Sequence, residues 1–290
     1  MTFIRNISIL VALIYLATSC QQSDQVTEGL KIVHFPNSEK VMQSIEYKNG
    51  RKNGYMKEFY RDGSLKAKIF FENDTLNDTT LMFHPNGKLM KLHVYKDKLK
   101  HGCWKEFNKE GLLYSELFFK NGLLDSTASR YTYKTRRLTT RINYKNGLKH
   151  GTEEHFYPSG KPKSIAYFID GRECMGTKEW HENGKEINND FEIYVVENDK
   201  VQIENTLTYY ITIQNPKEDD KVVQVLSAGK DKEIGITYPI HKVGNHYEFK
   251  YTIAKGGFVM DKVTIAAYRT TAFKNTLIKT KTFNVSSNNF

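Results

Sequence analysis

The sequence predicts an all-β protein: an elongated antiparallel sheet of stacked 24-residue β-hairpin repeats, followed by a C-terminal immunoglobulin-like β-sandwich. Three observations predict it. Turn dipeptides recur at a fixed step of 24 residues through the middle of the chain. Between them apolar and polar residues alternate with period two, the mark of a half-buried strand. After Ile187 the step stops, yet short alternating segments continue towards Phe290. At roughly 100–200 residues per domain, a chain of 290 residues accommodates both parts.

The N-terminus reads as an address. Arg5 lies in a short polar start, and an apolar stretch runs from Ile7 to Leu16. That stretch is too short for a spanning helix, which needs about 20 residues. A positive start, an apolar core and small residues form a secretory signal. The small residues Ala17, Thr18 and Ser19 lead directly into Cys20. The pattern resembles a bacterial lipoprotein signal, which implies a signal peptide over 1–19 and diacylglycerol on the Cys20 thiol. Acyl chains on Cys20 would anchor the protein stably. The polar residues of 20–30 read as a tether.

The repeats occupy 31–187. One turn series runs Asp62-Gly63, Asn86-Gly87, Glu110-Gly111, Lys134-Thr135, Ser159-Gly160 and Asn183-Gly184, with one extra residue before Ser159. A second runs Asn49-Gly50, Asn73-Asp74, Asp97-Lys98, Asn121-Gly122, Asn146-Gly147 and Asp170-Gly171. A third places Gly54, Asp78, Gly102, Ser126, Gly151 and Gly176. Asn-Gly and Asp-Gly tolerate positive φ and favour tight hairpin turns. Aromatic residues fall in two columns. Tyr47, Phe71, Tyr95, Phe119, Tyr144 and Phe168 form one; Phe59, Phe83, Phe107, Tyr131, Phe156 and Trp180 form the other. One hairpin cannot bury such a face alone, whereas stacked hairpins form continuous ladders. About six repeats at two strands each give a sheet roughly 55–60 Å long. Glu72–Asp78 lacks both turn glycines and Lys134–Arg137 lacks one, so bulges or wider loops are expected at both places.

Segments such as Tyr47–Gly54, Phe83–Lys88 and Tyr144–Gly151 resemble MORN-type repeats in their bacterial variant. The resemblance covers a little over half the chain. It implies stacked hairpins, a scaffolding role, and in some relatives lipid contact, dimerisation or an antitoxin label. An export signal would keep an antitoxin from a cytosolic toxin.

The last part, 190–290, follows a boundary at Asn188-Asn189. Alternating segments at Phe191–Val196, Thr206–Ile213, Val222–Leu226, Tyr247–Ile253, Val263–Tyr268 and Leu277–Val285 suggest six or seven short strands of a sandwich. Such a domain could cover the open edge of the repeat sheet.

Net charge is +10, and the excess lies in the repeats. Residues 21–189 carry 29 Lys and Arg against 21 Asp and Glu, while 190–290 carry 13 against 12. Lys48, Arg51, Lys52, Lys96, Lys98, Lys100, Lys145 and Lys149 should line one long edge, where they permit contact with anionic headgroups. No block of five or six basic residues occurs, and no nucleic-acid partner is expected.

The chain has no G-x-S-x-G, P-loop, H-E-x-x-H or C-x-x-C pattern. His101 and His150 share one slot two repeats apart, roughly 19 Å, whereas zinc binds its ligands at about 2 Å. His150 and His155 flank Glu153-Glu154 and form the best remaining cluster, read as surface histidines. Cys103 and Cys174 lie three repeats apart, roughly 29 Å. They are expected to be free, since a disulfide needs Cα atoms within about 7 Å. No catalytic residue, metal ligand or cofactor is therefore expected. The functional expectation is a membrane-anchored envelope lipoprotein, held through Cys20 in the outer membrane. It would act as a non-enzymatic scaffold for an unknown protein or envelope component. The alternatives are an antitoxin-like binding protein, or an envelope enzyme acting on glycan or lipid.

Overall fold

The structure is a computed structural model that describes residues 27–227, 229 and 233–290. Cys20 and the signal reading lie outside the described residues.

Fifteen strands form one antiparallel sheet. They are β1 (Gly29–His34), β2 (Val41–Lys48), β3 (Arg51–Phe59), β4 (Leu65–Glu72), β5 (Thr75–Leu76), β6 (Asp78–Phe83), β7 (Leu89–Lys96) and β8 (Leu99–Phe107). Then follow β9 (Leu113–Lys120), β10 (Leu123–Leu124), β11 (Ser126–Tyr131), β12 (Leu138–Lys145), β13 (Leu148–Phe156), β14 (Pro162–Ile169) and β15 (Arg172–Glu179). Neighbours in sequence are neighbours in space, so the sheet is a simple meander.

Two turn types alternate. The second turn series has positive φ at both central residues in every repeat, including Asn73 (47°) with Asp74 (63°) and Asp97 (51°) with Lys98 (68°). This geometry matches the strand twist and gives tight two-residue hairpins. The turn at Asn73-Asp74 is therefore no wider than the others, although it lacks glycine. The first series makes wider turns with a single left-handed residue, such as Gly63 or Gly87. Its fourth copy is the exception: Thr132 N–H bonds Arg137 O across a loop one residue longer than Tyr60 to Ser64. Arg136, not Thr135, takes the positive φ there, at 55°. The longer loop accounts for the extra residue in the repeat step.

The third series marks a bulge. Ile45 pairs with Met56 and Tyr47 with Lys52, so Asn53, Gly54 and Tyr55 all lie opposite Glu46. A Glu46 carboxylate oxygen accepts from Tyr55 N–H at 2.8 Å. A Cβ at position 54 would sit 2.0 Å from that oxygen, and φ there is +111°, so only glycine fits. Asp78 and Ser126 hold the same slot with positive φ, and there the strand splits, leaving the two-residue β5 and β10.

The sheet is a single layer. On one face Ile45, Met56, Ala67, Thr80, His93, Ser115, Ala128, Ser164 and Ala166 are buried between flanking rings. The other face carries directly opposed charges, with Lys105–Glu116 at 3.0 Å and Arg141–Glu154 at 3.3 Å. Both aromatic columns run as expected, but apart from Phe168 their rings are only half-buried, because no sheet or helix of the described residues is layered over them. Successive repeats are also laced by side chain to backbone. Tyr60 Oη donates to Phe83 O at 2.8 Å, Asn108 Nδ2 to Tyr133 O at 2.7 Å and Tyr157 Oη to Trp180 O at 2.7 Å.

The C-terminal unit contains β16 (Ile193–Lys200), a single helical turn α1 (Val201–Glu204), β17 (Thr206–Ile213), β18 (Lys221–Val225), β19 (Thr237–Pro239), β20 (His241–Val243), β21 (His246–Thr252), β22 (Phe258–Thr270) and β23 (Thr276–Asn288). They form two four-stranded sheets, ordered β16-β17-β21-β20 and β19-β18-β22-β23. Leu207, Tyr209 and Ile211 from the first sheet share one buried cluster with Val263, Ile265 and Val285 from the second. A buried Arg269–Asp220 ion pair at 2.7 Å fixes the β17–β18 loop, since Arg269 also donates to the Gln214 and Asn215 carbonyls.

This unit lies against β15, the last strand of the long sheet. Thr177 Oγ1 donates to Thr276 O at 2.8 Å. Glu179 is 1% exposed. Its carboxylate accepts from Thr271 Oγ1 and Asn275 Nδ2 at 2.5 Å each, and from Asn189 Nδ2 at 2.7 Å. Arg172 and Glu233 form a further ion pair. Met175 packs into a second cluster with Ile234, Ala266 and Ile278. The edge at β15 is thus covered.

Candidate functional site

The buried face of the sheet carries a row of cation–ring units. The tight turns bring Tyr47 opposite Lys52, Tyr95 opposite Lys100 and Tyr144 opposite Lys149. Each ammonium folds over a ring of the next hairpin: Lys52 over Phe71 at 5.2 Å, Lys100 over Phe119 at 5.0 Å and Lys149 over Phe168 at 4.6 Å. In the intervening hairpins Phe71 faces Leu76 and Phe119 faces Leu124. The structural unit is therefore a pair of repeats. The step from Lys52 to Lys100 to Lys149 carries that doublet in the sequence, where it is hidden behind the stronger 24-residue signal.

This corrects the single basic edge expected of the lysines. Lys52, Lys100 and Lys149 lie over rings on the face, while Lys96, Lys98 and Lys145 stay at the turn rim. That rim is amphipathic. Leu99, Leu123 and Leu148 are half-exposed there, each directly across from a lysine: Lys96, Lys120 and Lys145.

The largest aromatic cluster sits at mid-array. His93 stacks on Trp104 at 3.8 Å and 10°, Tyr95 and Phe119 flank the indole, and Lys100 lies over it at 4.6 Å. Trp104 Nε1 donates to Val94 O at 2.9 Å. Burial, helped by Lys91, pushes the His93 pKa down to about 4 against the pull of Glu106, so the ring is neutral at pH 7. Glu106 is held by Lys91 at 3.0 Å and by the Tyr114 hydroxyl at 3.0 Å.

A second cluster lies near the junction. His155 Nε2 is 3.0 Å from Glu153 Oε1, and Lys149 bonds the other carboxylate oxygen. Hydrogen bonds from His155 and then Lys149 hold the Glu153 pKa below the usual carboxylate range despite burial. His150 does not join them; its Nδ1 meets Asp170 at 3.1 Å. His101 is on β8 and His150 on β13, four strands apart, so the structure does not bring them together. Among the described residues, no group of three His, Cys, Asp or Glu side chains converges to hold a metal ion.

Cys103 on β8 forms no disulfide, and Cys174 lies buried on β15. Burial pushes the Cys103 thiol up, which opposes a thiolate nucleophile. Among the described residues no helix is long and apolar enough to cross a membrane.

In comparisons with known proteins, the family described as the MORN repeat variant matches residues 52–73, 79–97, 100–121 and 149–170. The chain carries MORN-variant repeats at these four places. Each match spans one hairpin with the wider turn, such as β3–β4. The stretch passed over, 122–148, contains the lengthened loop and Arg136. No curated protein matches the chain.

Proposed function

We propose that the chain is a membrane-anchored envelope lipoprotein, lipidated at Cys20, that acts as a non-enzymatic scaffold for a macromolecular partner. The observation that carries this reading is the long single-layer sheet, whose ring-bearing face repeats the Tyr–Lys–Phe unit at Lys52 and Lys100 and a third time, at Lys149, beside the C-terminal unit. Such a surface offers the same chemistry at a regular step, as extended binding surfaces of repeat proteins do. The Leu–Lys rim suits a neighbouring lipid surface, where apolar side chains enter the interface and lysines meet anionic headgroups. The C-terminal unit reads as an immunoglobulin-like sandwich. Its two sheets follow the A-B-E-D and C-F-G orders of that fold, with β19 beside strand C. It serves to cover one end of the array.

Labelled palmitate tests the anchor. Incorporation into the intact chain, lost in Cys20→Ala together with membrane fractionation, supports the reading. A cytosolic, unlabelled protein overturns it and favours the antitoxin-like binder.

A further inference from the structure

A row of side chains crosses the buried face at mid-strand. In the second strand of successive repeats it holds Met56, Thr80, Trp104, Ala128 and then Glu153. A carboxylate in a column of uncharged side chains is a local conflict, and such conflicts concentrate at functional sites. The Glu153 side chain is 13% exposed and remains an anion because Lys149 and His155 hold it.

At this place the loop between β22 and β23 reaches over the sheet and closes a cleft of about 290 Å³. Phe168 on the sheet and Phe273 on the loop both line it. Lys149 lies against Phe168 and Lys163 against Phe273, each at 4.6 Å, so both rings are ordered in advance. The volume is at the small end of ligand pockets, enough for about one ring.

The charges of the lining balance: Lys149 and Lys274 against Glu153 and Glu173. Donors and acceptors are therefore interspersed around an apolar wall, with no net field to select an ion. A hydroxyl both donates and accepts, so it can answer either kind of group. We propose that this cleft binds the ring of an uncharged sugar, its hydroxyls towards the Lys149–Glu153 side and its C–H face against a phenyl ring. The cleft shares Lys149 and Phe168 with the third Tyr–Lys–Phe unit, but sugar binding there does not rest on the scaffold reading.

The test is a calorimetric titration of the full chain with glucose, galactose, mannose and N-acetylglucosamine, and with glucosamine and glucuronate as charged counterparts. Saturable binding of a neutral sugar in about the millimolar range is expected. Phe273→Ala should weaken it by about tenfold or more. Lys274→Gln, at an exposed position, should weaken it several-fold without changing the melting temperature. The proposal is overturned if none of the neutral sugars binds by about 100 mM. It is equally overturned if a charged sugar binds about tenfold tighter than its parent, or if both variants bind as the parent chain does.

Discussion

The repeat sheet and the C-terminal unit are both antiparallel β, yet they hold themselves together differently. In the C-terminal unit two sheets close on each other, and Leu207, Ile211, Ile265 and Val285 have no exposed surface. Among the described residues no second layer covers the repeat sheet, and apart from Phe168 the aromatic columns stay half-buried. Its cohesion comes from strand-to-strand ladders, lacing bonds such as Tyr60 to Phe83, and rings packed on their neighbours. The difference teaches that regular aromatic spacing marks contact between repeats, not a closed core. It also implies that stability is local and additive along the array but cooperative in the end unit.

Substitutions should expose this contrast. Leu207→Ala should lower the stability of the C-terminal unit by about 2–5 kcal/mol, as fully buried leucines do. Phe107→Ala, at a half-buried ring, should cost only about 1–2 kcal/mol, less than the roughly 3–5 kcal/mol of a buried phenylalanine. Denaturant melts of the two variants measure the gap, and equal losses would break the comparison.

Acid should act on the array through His93. Its pKa is about 4 in the folded chain against 6.5 as the ordinary value. The folded state thus favours the neutral ring, and its contribution is fully present above pH 6.5. As pH falls from 6.5 towards 4 the unfolded chain takes up a proton first, and stability is lost by at most about 3 kcal/mol. His93→Gln should flatten that part of the pH profile. A profile unchanged by the substitution would remove His93 as the cause.

Much of this was legible because turns and strands are local. Asn-Gly and Asp-Gly pairs mark positive φ directly, and period-two alternation marks faces. The step count also exposed the extra residue before Ser159, but not that Arg136 would take the left-handed position, since any residue can be forced there by a longer loop. The short β19 and β20 carry no sequence signal, because three-residue strands show no alternation. The junction was illegible for another reason. Glu179 meets Thr271 and Asn275 about ninety residues away, and nothing in a repeat pattern signals a buried carboxylate bonded to so distant a part of the chain. The cleft around Glu153 was half legible: the cluster with His155 was visible, while Phe273 came from a separate part of the chain.

Smaller effects sharpen the comparison further. Tyr60→Phe removes one lacing bond and should cost about 1 kcal/mol, read as a shift in the thermal melt of the array alone. Lys105→Ala removes a surface ion pair with Glu116 and should change the melt by less than about 1 kcal/mol. A larger loss from Lys105 than from Tyr60 would mean that the charged face, not the lacing, holds neighbours together.

Native-state hydrogen exchange of the full chain tests the central claim most directly. The account predicts that amides of β17 and β22 exchange together, with one high opening free energy. Array amides should open in steps, least protected at β1, which pairs with β2 alone among the described residues, and most protected near the covered strand β15. One common opening free energy across β2 to β14, equal to that of β17 and β22, would contradict it.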